Sequence, residues 1–241
     1  MKNPTAAMLV IGDEILSGRT REANAYHLAG ELGKVGIDLR EIRVVPDDHA
    51  VIVDALRVLR ASHDHVFTSG GIGPTHDDIT ADAVADAFSV GIEVRDDART
   101  LLQDAIGRGR TLTDEHLRMA RIPHGAVLID NPVSAAPGFT IGNVHVMAGV
   151  PAIFVAMLDA VLPALEAGSP MLSRELRFEV GEGRIAAPLR ELAVAMPDLG
   201  IGSYPFQEGP VYGTNIVVRG TDADRIDHAL ERLRGIRSSL D

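Results

Sequence analysis

Glycines, hydroxyls and carboxylates are concentrated in residues 68–82, which read Thr-Ser-Gly-Gly-Ile-Gly-Pro-Thr-His-Asp-Asp-Ile-Thr-Ala-Asp. Gly70, Gly71 and Gly73 follow a short apolar run, and glycine can take positive φ and bring backbone N–H groups close to a ligand. If a helix follows, its first turn directs unpaired N–H groups and a partial positive charge at the same point. The segment therefore predicts a binding site for an anionic group such as phosphate.

This turn matches neither of two common phosphate-binding fingerprints. A dinucleotide turn would need glycine or alanine where His76 stands, and a P-loop needs a Gly-Lys-Ser/Thr sequence that the chain lacks. A structural interpretation stays open, in which the glycines only make a tight turn and Thr75 with Asp78, or Thr80, caps the next helix.

The neighbouring carboxylates favour a site that includes a cation. Asp77 and Asp78 would repel a phosphate unless a cation or proton mediates, and Mg²⁺ accepts oxygen ligands from one or two carboxylates and from phosphate. Asp13 and Glu14 follow the first predicted strand, so in a parallel sheet they lie at the same edge as Gly70. Open α/β sheets bind ligands at that edge.

Alternating strand and helix patterns would position these groups. The hydrophobic pattern predicts strands at residues 6–11, 37–45 and 65–68, helices around residues 28–35, 51–59 and 80–88, and a turn at Gly70. That order predicts a parallel sheet covered by helices on both faces. Farther along, we expect helices at residues 98–107, 113–120 and 152–165, a strand at 126–129 and a hairpin at 139–148 around Gly142 and Asn143.

Composition sets the number of domains and excludes several chemistries. The 241 residues fit one domain at 1–168 and a small α+β module at 172–241, with a linker at residues 168–170. A module of that size would lean on the first domain or on a second subunit, so we expect a homo-oligomer. The net charge of −11 disfavours nucleic acid as a partner, and the absence of cysteine excludes disulfides and thiolate chemistry. We expect a cytoplasmic protein without a membrane segment.

Two other patterns carry less weight. Residues 181–186, Gly-Glu-Gly-Arg-Ile-Ala, match a loose dinucleotide fingerprint, but too little chain follows for a doubly wound sheet, which favours a plain strand-to-helix turn. His63 and His65 flank Asp64, yet without a third ligand we interpret them as surface residues leading into a strand. No Gly-x-Ser-x-Gly elbow supports serine hydrolase chemistry.

Several longer motifs resemble a known family, the molybdopterin-binding (MoaB/MogA-like) superfamily. The closest resemblance is to the amino-terminal domain of competence/damage-inducible CinA proteins and to the similar domain of FAD synthases. The motifs are Gly12-Asp13-Glu14-Ile15-Leu16-Ser17-Gly18, Asn24, Ser69-Gly70-Gly71-Ile72-Gly73-Pro74, Asp77-Asp78-Ile79-Thr80, Asn131-Pro132-Val133-Ser134-Ala135-Ala136-Pro137-Gly138, Gly149-Val150-Pro151, Gly202-Ser203-Tyr204-Pro205 and Gly213-Thr214-Asn215.

The resemblance implies a three-layer α/β/α domain with a mostly parallel sheet, followed by a small α+β module of the KH type. It implies that a molybdopterin-type ligand, or another phosphorylated pterin or nucleotide, binds at the glycine turn, with Asp13 and Asp78 as catalytic residues and metal ligands. The remaining expected ligand-binding residues are Gly12, Glu14, Ser69, Gly70, Gly71, Gly73, Pro74, Asp77, Asn131, Ser134, Pro137 and Gly138.

The resemblance leaves two activities open at one site. The first is binding of a phosphorylated pterin or nucleotide, and the second is pyrophosphate hydrolysis of ADP-ribose or FAD with Mg²⁺ or another divalent ion, with K⁺ as a further cofactor. Asp77 stands where the adenylyltransferase-like branch tends to have arginine, which favours a metal-bridged pyrophosphate. RNA binding by the KH-like module is disfavoured because residues 172–241 lack a clear Gly-x-x-Gly loop in a basic setting. We expect no nicotinamide mononucleotide deamidase activity from this chain.

Overall fold

The chain folds into two compact units. The computed structural model describes residues 2–107, 110–134 and 136–240. Unit 1 comprises residues 1–168 and unit 2 comprises residues 169–241, and each has its own cluster of buried apolar side chains. Within the described residues, no helix combines the length and the apolar character that crossing a bilayer requires.

Unit 1 is a layered α/β domain. Its strands are β1 (Thr5–Ile11), β2 (Asp38–Val45), β3 (His65–Ser69), β4 (Ile92–Val94), β5 (Arg121–Pro123), β6 (Val127–Ile129), β7 (Gly138–Ile141) and β8 (Val144–Met147). Its helices are α1 (Asp13–Leu16), α2 (Asn24–Lys34), α3 (His49–Ser62), α4 (Thr80–Phe88), α5 (Asp96–Ile106), α6 (Asp114–Met119) and α7 (Pro151–Val161), which continues as a 3₁₀ turn (Leu162–Ala164).

The central sheet has the strand order β2-β1-β3-β8-β7-β6. Strands β2, β1, β3 and β8 are parallel, whereas β7 and β6 run antiparallel to their neighbours. Helix α2 packs with α7 and α3 packs with α4, which places a helical layer on each face. The predicted three-layer fold with a mostly parallel sheet is confirmed.

Local sequence explains most of these elements. The apolar residues of β1 are buried from Ala6 to Ile11, as expected for a strand covered on both faces. The Asp48 side chain accepts a hydrogen bond from the Val51 N–H and so caps α3. Gly142, with φ of 55°, makes the two-residue turn of the β7–β8 hairpin, which confirms the predicted hairpin.

Two features of unit 1 differ from the sequence prediction. Helix α2 begins at Asn24, four residues before Leu28, where the predicted helix began. Asn24 and Ala25, in this additional turn, are also buried. Strands β4 and β5 form a separate two-stranded sheet that the prediction lacks. Each has only three residues, which is too short to show an alternating pattern.

Unit 2 is an α+β module, as predicted. Its elements are β9 (Leu172–Phe178), α8 (Glu182–Ala195), β10 (Gly200–Glu208), β11 (Val211–Gly220) and α9 (Ala223–Ser238), with an antiparallel sheet in the order β10-β11-β9. Strand β10 continues through Pro205, which a strand at the sheet edge tolerates. Residues 182–186 form the first turns of α8 after the N-cap Gly181, so this glycine pattern is structural. Pro188 lies inside this helix.

Candidate functional site at the carboxyl edge of the sheet

The parallel strands of unit 1 end side by side at one edge of the sheet. Ile11 of β1 pairs with Val45 of β2, and Ser69 of β3 pairs with both Val10 and Met147. The chain then leaves the sheet in three loops that carry Asp13, Asp47 and the glycine turn. This register brings the predicted groups around Asp13 and Gly70 to the same rim, as the parallel-sheet argument required.

Gly70 and Gly71 are required by close backbone packing. Gly70 has φ of 108°, and a Cβ there would lie 2.2 Å from the Ile11 carbonyl oxygen. Gly71 has φ of 69°, and a Cβ there would lie 2.1 Å from Thr80 Oγ1. The Gly70 N–H donates to the Met147 carbonyl, and the Thr80 hydroxyl donates to the Gly70 carbonyl. The first half of the turn is thus packed against the core and does not present its Gly70 amide to a ligand.

The second half of the turn has unengaged amides. Within the described part of the chain, the N–H groups of Gly71, Ile72 and Gly73 donate no hydrogen bond. The N-cap of α4 is Ile79, which has no side-chain cap, and Thr80 binds Gly70 instead. Thr80 therefore does not cap α4, whereas Thr75 and Asp78, the other pair named in the structural interpretation, do hydrogen-bond each other in the preceding turn.

The adjacent residues Asp77 and Asp78 line different clefts. Asp78 Oδ2 accepts hydrogen bonds from the Thr75 N–H at 2.7 Å and the Thr75 hydroxyl at 2.6 Å, and it lines a small cleft with Gly71 and Gly73. Asp77 lines a larger cleft of about 920 Å³ with Asp13. Asp13 and Asp78, predicted together as metal ligands, consequently do not share a cleft.

The larger cleft is strongly acidic. Asp13, Glu14, Asp47 and Asp77 line it together with Arg19. Burial raises the pKa of the Asp47 carboxyl, the Asp13 N–H that donates to it at 2.9 Å lowers it, and the charges of Glu14, Asp13 and Asp77 raise it further. The nearby Thr75 side chain and the Asp77 N–H lower the pKa of the Asp77 carboxyl, which therefore stays ionised at neutral pH.

These carboxylates have the donor chemistry that Mg²⁺ prefers. Among the described residues, however, no three acidic or histidine side chains converge closely enough to hold a metal ion. A divalent ion in this cleft would depend on one or two carboxylates, chiefly Asp13 and Asp77, with water and ligand oxygens completing its coordination.

Two arginines near the glycine turn were not predicted. The Arg118 guanidinium donates to the backbone carbonyls of His76 and Asp78 at 3.3 Å, and Arg121 forms an ion pair with Asp82. Both line the small cleft beside Gly73. Arg118 lies shortly before the three-residue strand β5, and Arg121 is the first residue of that strand. Only the tertiary pairing of β5 with β4 brings these two arginines to the turn.

Asn24 connects three loops of the rim. It is 4% exposed, and its Nδ2 donates to Ser69 Oγ and to the Gly149 carbonyl, each at 2.8 Å. Ser69, predicted to contact the ligand, is itself buried and engaged by Asn24. Both residues therefore hold the loops together beneath the candidate site.

The loop at residues 131–138 forms another wall, although Ala135 lies outside the described residues. Asn131 Nδ2 donates to Ser134 Oγ and to the Ala136 carbonyl, which folds the loop on itself. Pro137 is buried and lines the small cleft beside Gly73. Gly138 packs below the rim, since a Cβ there would lie 2.8 Å from the Val146 carbonyl oxygen.

The remaining predicted residues are Gly12, Glu14 and Pro74, and of these only Glu14 lines either cleft. Glu14 lines the acidic cleft, and a Cβ on Gly12 would lie 2.6 Å from a Glu14 carboxylate oxygen. Pro74 lies between Gly73 and Thr75 on the exposed turn. Asp47 was missed, although its position directly after β2 mirrors that of Asp13 after β1 and could have revealed it.

Another cavity, of about 600 Å³, lies at the opposite edge of the sheet, beside His65, the first residue of β3. His145 is buried there, and its Nδ1 lies 3.0 Å from Thr140 Oγ1 while its Nε2 lies 3.4 Å from His65 Nδ1. Burial and the nearby His65 lower the pKa of His145 to about 4. His65 is half-buried in this contact and is not the surface residue that the sequence predicted.

Comparisons with known proteins agree with this geometry. Residues 7–167 match the family described as "Probable molybdopterin binding domain". The chain belongs to this family. Residues 170–237 match a second family, described as "FAD synthase, middle domain". The predicted relationship to FAD synthases is thereby confirmed.

Individual relatives match nearly the whole chain. A probable FAD synthase from Caenorhabditis elegans is 30% identical over 256 residues, covering 95% of this chain and 49% of its own length. A protein from Archaeoglobus fulgidus is 30% identical, covering 93% of this chain and 94% of its own. The chain thus spans about half the length of that FAD synthase.

A solved structure resembles unit 1. The crystal structure of the CinA protein of Thermoplasma acidophilum, described as of unknown function, matches with a TM-score of 0.64 and 34% identity. The match covers 68% of this chain and 99% of that one. This similarity confirms the predicted relationship to CinA proteins.

Proposed function

We propose that the chain binds a phosphorylated pterin-like or nucleotide-like small molecule, with a phosphate at residues 71–73. The observation that carries this proposal is the run of unengaged amides at Gly71, Ile72 and Gly73, of which Gly71 packs against Thr80, the first residue of helix α4. Consecutive N–H groups in a turn form a concave anion site, and the partial positive charge at a helix amino terminus adds to it. The family description, molybdopterin binding, supports the same class of ligand.

The arginines adjust the charge of this site. Arg118 binds the carbonyls of His76 and Asp78, so its positive charge lies beside the turn without occupying the amides. Arg121 is largely neutralised by Asp82. One net positive charge therefore opposes the Asp78 carboxylate, and the remaining attraction for phosphate comes from backbone amides.

We expect replacement of Gly73 by alanine to weaken binding of ADP-ribose and FAD by about tenfold, because it distorts the turn. An effect of this size equals the loss of one charge-assisted hydrogen bond. A Cβ at residue 73 would lie 2.7 Å from Asp78 Oδ2, so this carboxylate must move and release Thr75. Isothermal titration calorimetry with metal-free protein measures the change.

The matched control is Gly33→Ala in α2, where an added Cβ meets no atom within 4 Å. Its affinity for both compounds should equal that of the unmodified protein. Equal affinity in Gly73→Ala, or the absence of any binding to the unmodified protein, contradicts the proposal.

A second candidate function, hydrolysis of a dinucleotide pyrophosphate such as ADP-ribose or FAD, is favoured by the acidic cleft. Asp13 and Asp77 would hold a divalent ion, which supplies charge neutralisation for the departing phosphate. Asp47 has a raised pKa and accepts the Asp13 N–H, so its carboxylate is a better proton acceptor for an attacking water than an ordinary aspartate. The probable FAD synthase relative is consistent with a flavin nucleotide as substrate.

For this candidate, we expect Asp77→Asn to lower AMP release from ADP-ribose or FAD by about 100-fold, the usual effect of removing a group that acts in the transition state. Chromatography of the products, with Mg²⁺ or another divalent ion and with or without K⁺, measures the rate. Asp54→Asn is the control, because Asp54 is an exposed residue of α3 outside the cleft. No AMP release by the unmodified protein under these conditions leaves ligand binding as the function and rejects hydrolysis.

A further inference from the structure

In unit 2, the motifs at residues 202–205 and 213–215 lie on neighbouring strands of the sheet. Tyr204 pairs with Asn215, and Phe206 pairs with Gly213, between strands β10 and β11. Arg177 of β9 pairs with Asn215 from the other side. Directly paired residues project to the same face. Because Ile216 and Val218 enter the core on the helical face, the row formed by Arg177, Asn215 and Tyr204 lies on the face away from α8 and α9.

Glycines allow both aromatic rings to lie along this face. A Cβ at Gly202 would lie 3.0 Å from a ring carbon of Tyr204, and a Cβ at Gly213 would lie 2.6 Å from a ring carbon of Phe206. Each ring therefore covers a glycine and lies flat on the sheet. Tyr204 remains 48% exposed, so its ring presents a surface on which a planar group can stack.

Two arginines flank the rings. The Arg177 guanidinium stacks on Phe206 with 3.8 Å between its central carbon and the ring centroid, and it forms an ion pair with Glu208. The Arg219 guanidinium lies 3.5 Å from the Tyr204 hydroxyl. Glu208 neutralises the charge of Arg177, so the positive charge that remains on this surface suits a ligand with one or two phosphates. The surface lacks the row of basic side chains that a polynucleotide needs.

Asn215 lies at the centre of the row with an unused acceptor. Among the described residues, its Oδ1 is shielded from solvent and has no hydrogen-bond partner. A buried polar atom without a partner is destabilising, so it favours a ligand that supplies the missing donor. The amino group of an adenine-type base is such a donor, and asparagine pairs with adenine through its amino group and ring nitrogen.

We propose that this face of unit 2, which we name the ring platform (Tyr204, Phe206, Asn215, Arg177 and Arg219), binds the base of a free adenine nucleotide. The base stacks on the Tyr204 ring, which moves to admit the amino group to Asn215 Oδ1. Arg219 then lies beside the ribose phosphate. This proposal does not depend on the function assigned to the glycine turn.

The tyrosine content of the chain provides a direct test. The chain has three tyrosines, Tyr26, Tyr204 and Tyr212, and no tryptophan. Tyrosine-ring NMR spectra of the full chain, with each signal assigned by a Tyr→Phe substitution, are recorded while AMP is added. We expect saturable upfield shifts of the Tyr204 ring signals and unchanged Tyr26 and Tyr212 signals. Ribose 5-phosphate, which has no base, should produce no shift.

Variants separate this site from the glycine turn. Tyr204→Leu and Asn215→Ala should each weaken AMP binding, measured by isothermal titration calorimetry, by about tenfold, as loss of one base-stacking or base-pairing contact does. Tyr212→Phe, on the helical face, and Gly73→Ala, at the carboxyl edge, should leave the Tyr204 shifts unchanged. Circular dichroism verifies that each variant is folded.

Three results overturn the ring platform as a nucleotide site. These are unshifted Tyr204 signals at saturating AMP, unchanged affinity in folded Asn215→Ala protein, and binding of oligoadenylate far tighter than AMP. The last result would assign the face to single-stranded nucleic acid instead.

Discussion

Replacing Gly70 by alanine should lower the free energy of unfolding of unit 1 by about 4 kcal/mol, the largest change that we expect from a single methyl group. The added Cβ would lie 2.2 Å from the Ile11 carbonyl oxygen, which is backbone at the end of β1 and cannot rotate away. In addition, φ of 108° is unfavourable for any residue with a side chain. The substitution must therefore separate the ends of β1 and β3.

Urea unfolding followed by circular dichroism measures this loss. Gly33→Ala is the control, because its Cβ meets no atom within 4 Å and alanine favours the helix α2 by about 1 kcal/mol. The two substitutions add the same atom, so their opposite effects isolate the packing at the glycine turn. Equal unfolding midpoints would show that the turn is not packed against β1 as described.

Protonation of His145 should make unit 1 less stable as the pH falls. Its pKa is about 4 in the folded protein because the ring is buried, whereas an unfolded histidine has a model value of 6.5. Between these values the unfolded state binds the additional proton, so stability is fully present above pH 6.5 and is lost as the pH falls toward 4. Between pH 8 and pH 5 the loss is about 2 kcal/mol.

Unfolding in urea at both pH values, with the unmodified protein and His145→Gln, measures this contribution. Glutamine does not titrate, so the variant should lose about 2 kcal/mol less between pH 8 and pH 5, whatever its stability at pH 8. His76→Gln is the control, because the His76 side chain is 97% exposed. An identical pH dependence in His145→Gln and the unmodified protein would contradict a buried neutral His145.

The sequence allowed prediction of those parts of the site that depend on local pattern. Alternating strands and helices, with loops after each parallel strand, were enough to place Asp13 and Gly70 at one rim. The glycine turn was recognisable because three glycines follow a buried strand. These inferences need only the order of elements and the direction of the strands.

Other parts of the site depend on tertiary contacts that no local pattern encodes. Arg118 reaches the carbonyl of Asp78 across 40 residues, and it does so because the short strand β5 pairs with β4. Similarly, the separation of Asp77 and Asp78 into two clefts follows from the hydrogen bonds between Asp78 and Thr75. Neither the distant contact nor the side-chain direction could be deduced from spacing alone.

Strand β7 runs antiparallel to β8, and this direction determines which loop can change without displacing a helix. Because β6 and β7 are antiparallel and Ile129 pairs with Gly138, the connection between them both leaves and re-enters the sheet at the rim that carries the glycine turn. This connection belongs to no strand-helix-strand crossover, so its length and residues can change without displacing a helix. We therefore expect that changes in this one loop can alter which ligand is bound while the backbone amides of residues 71–73 stay in place.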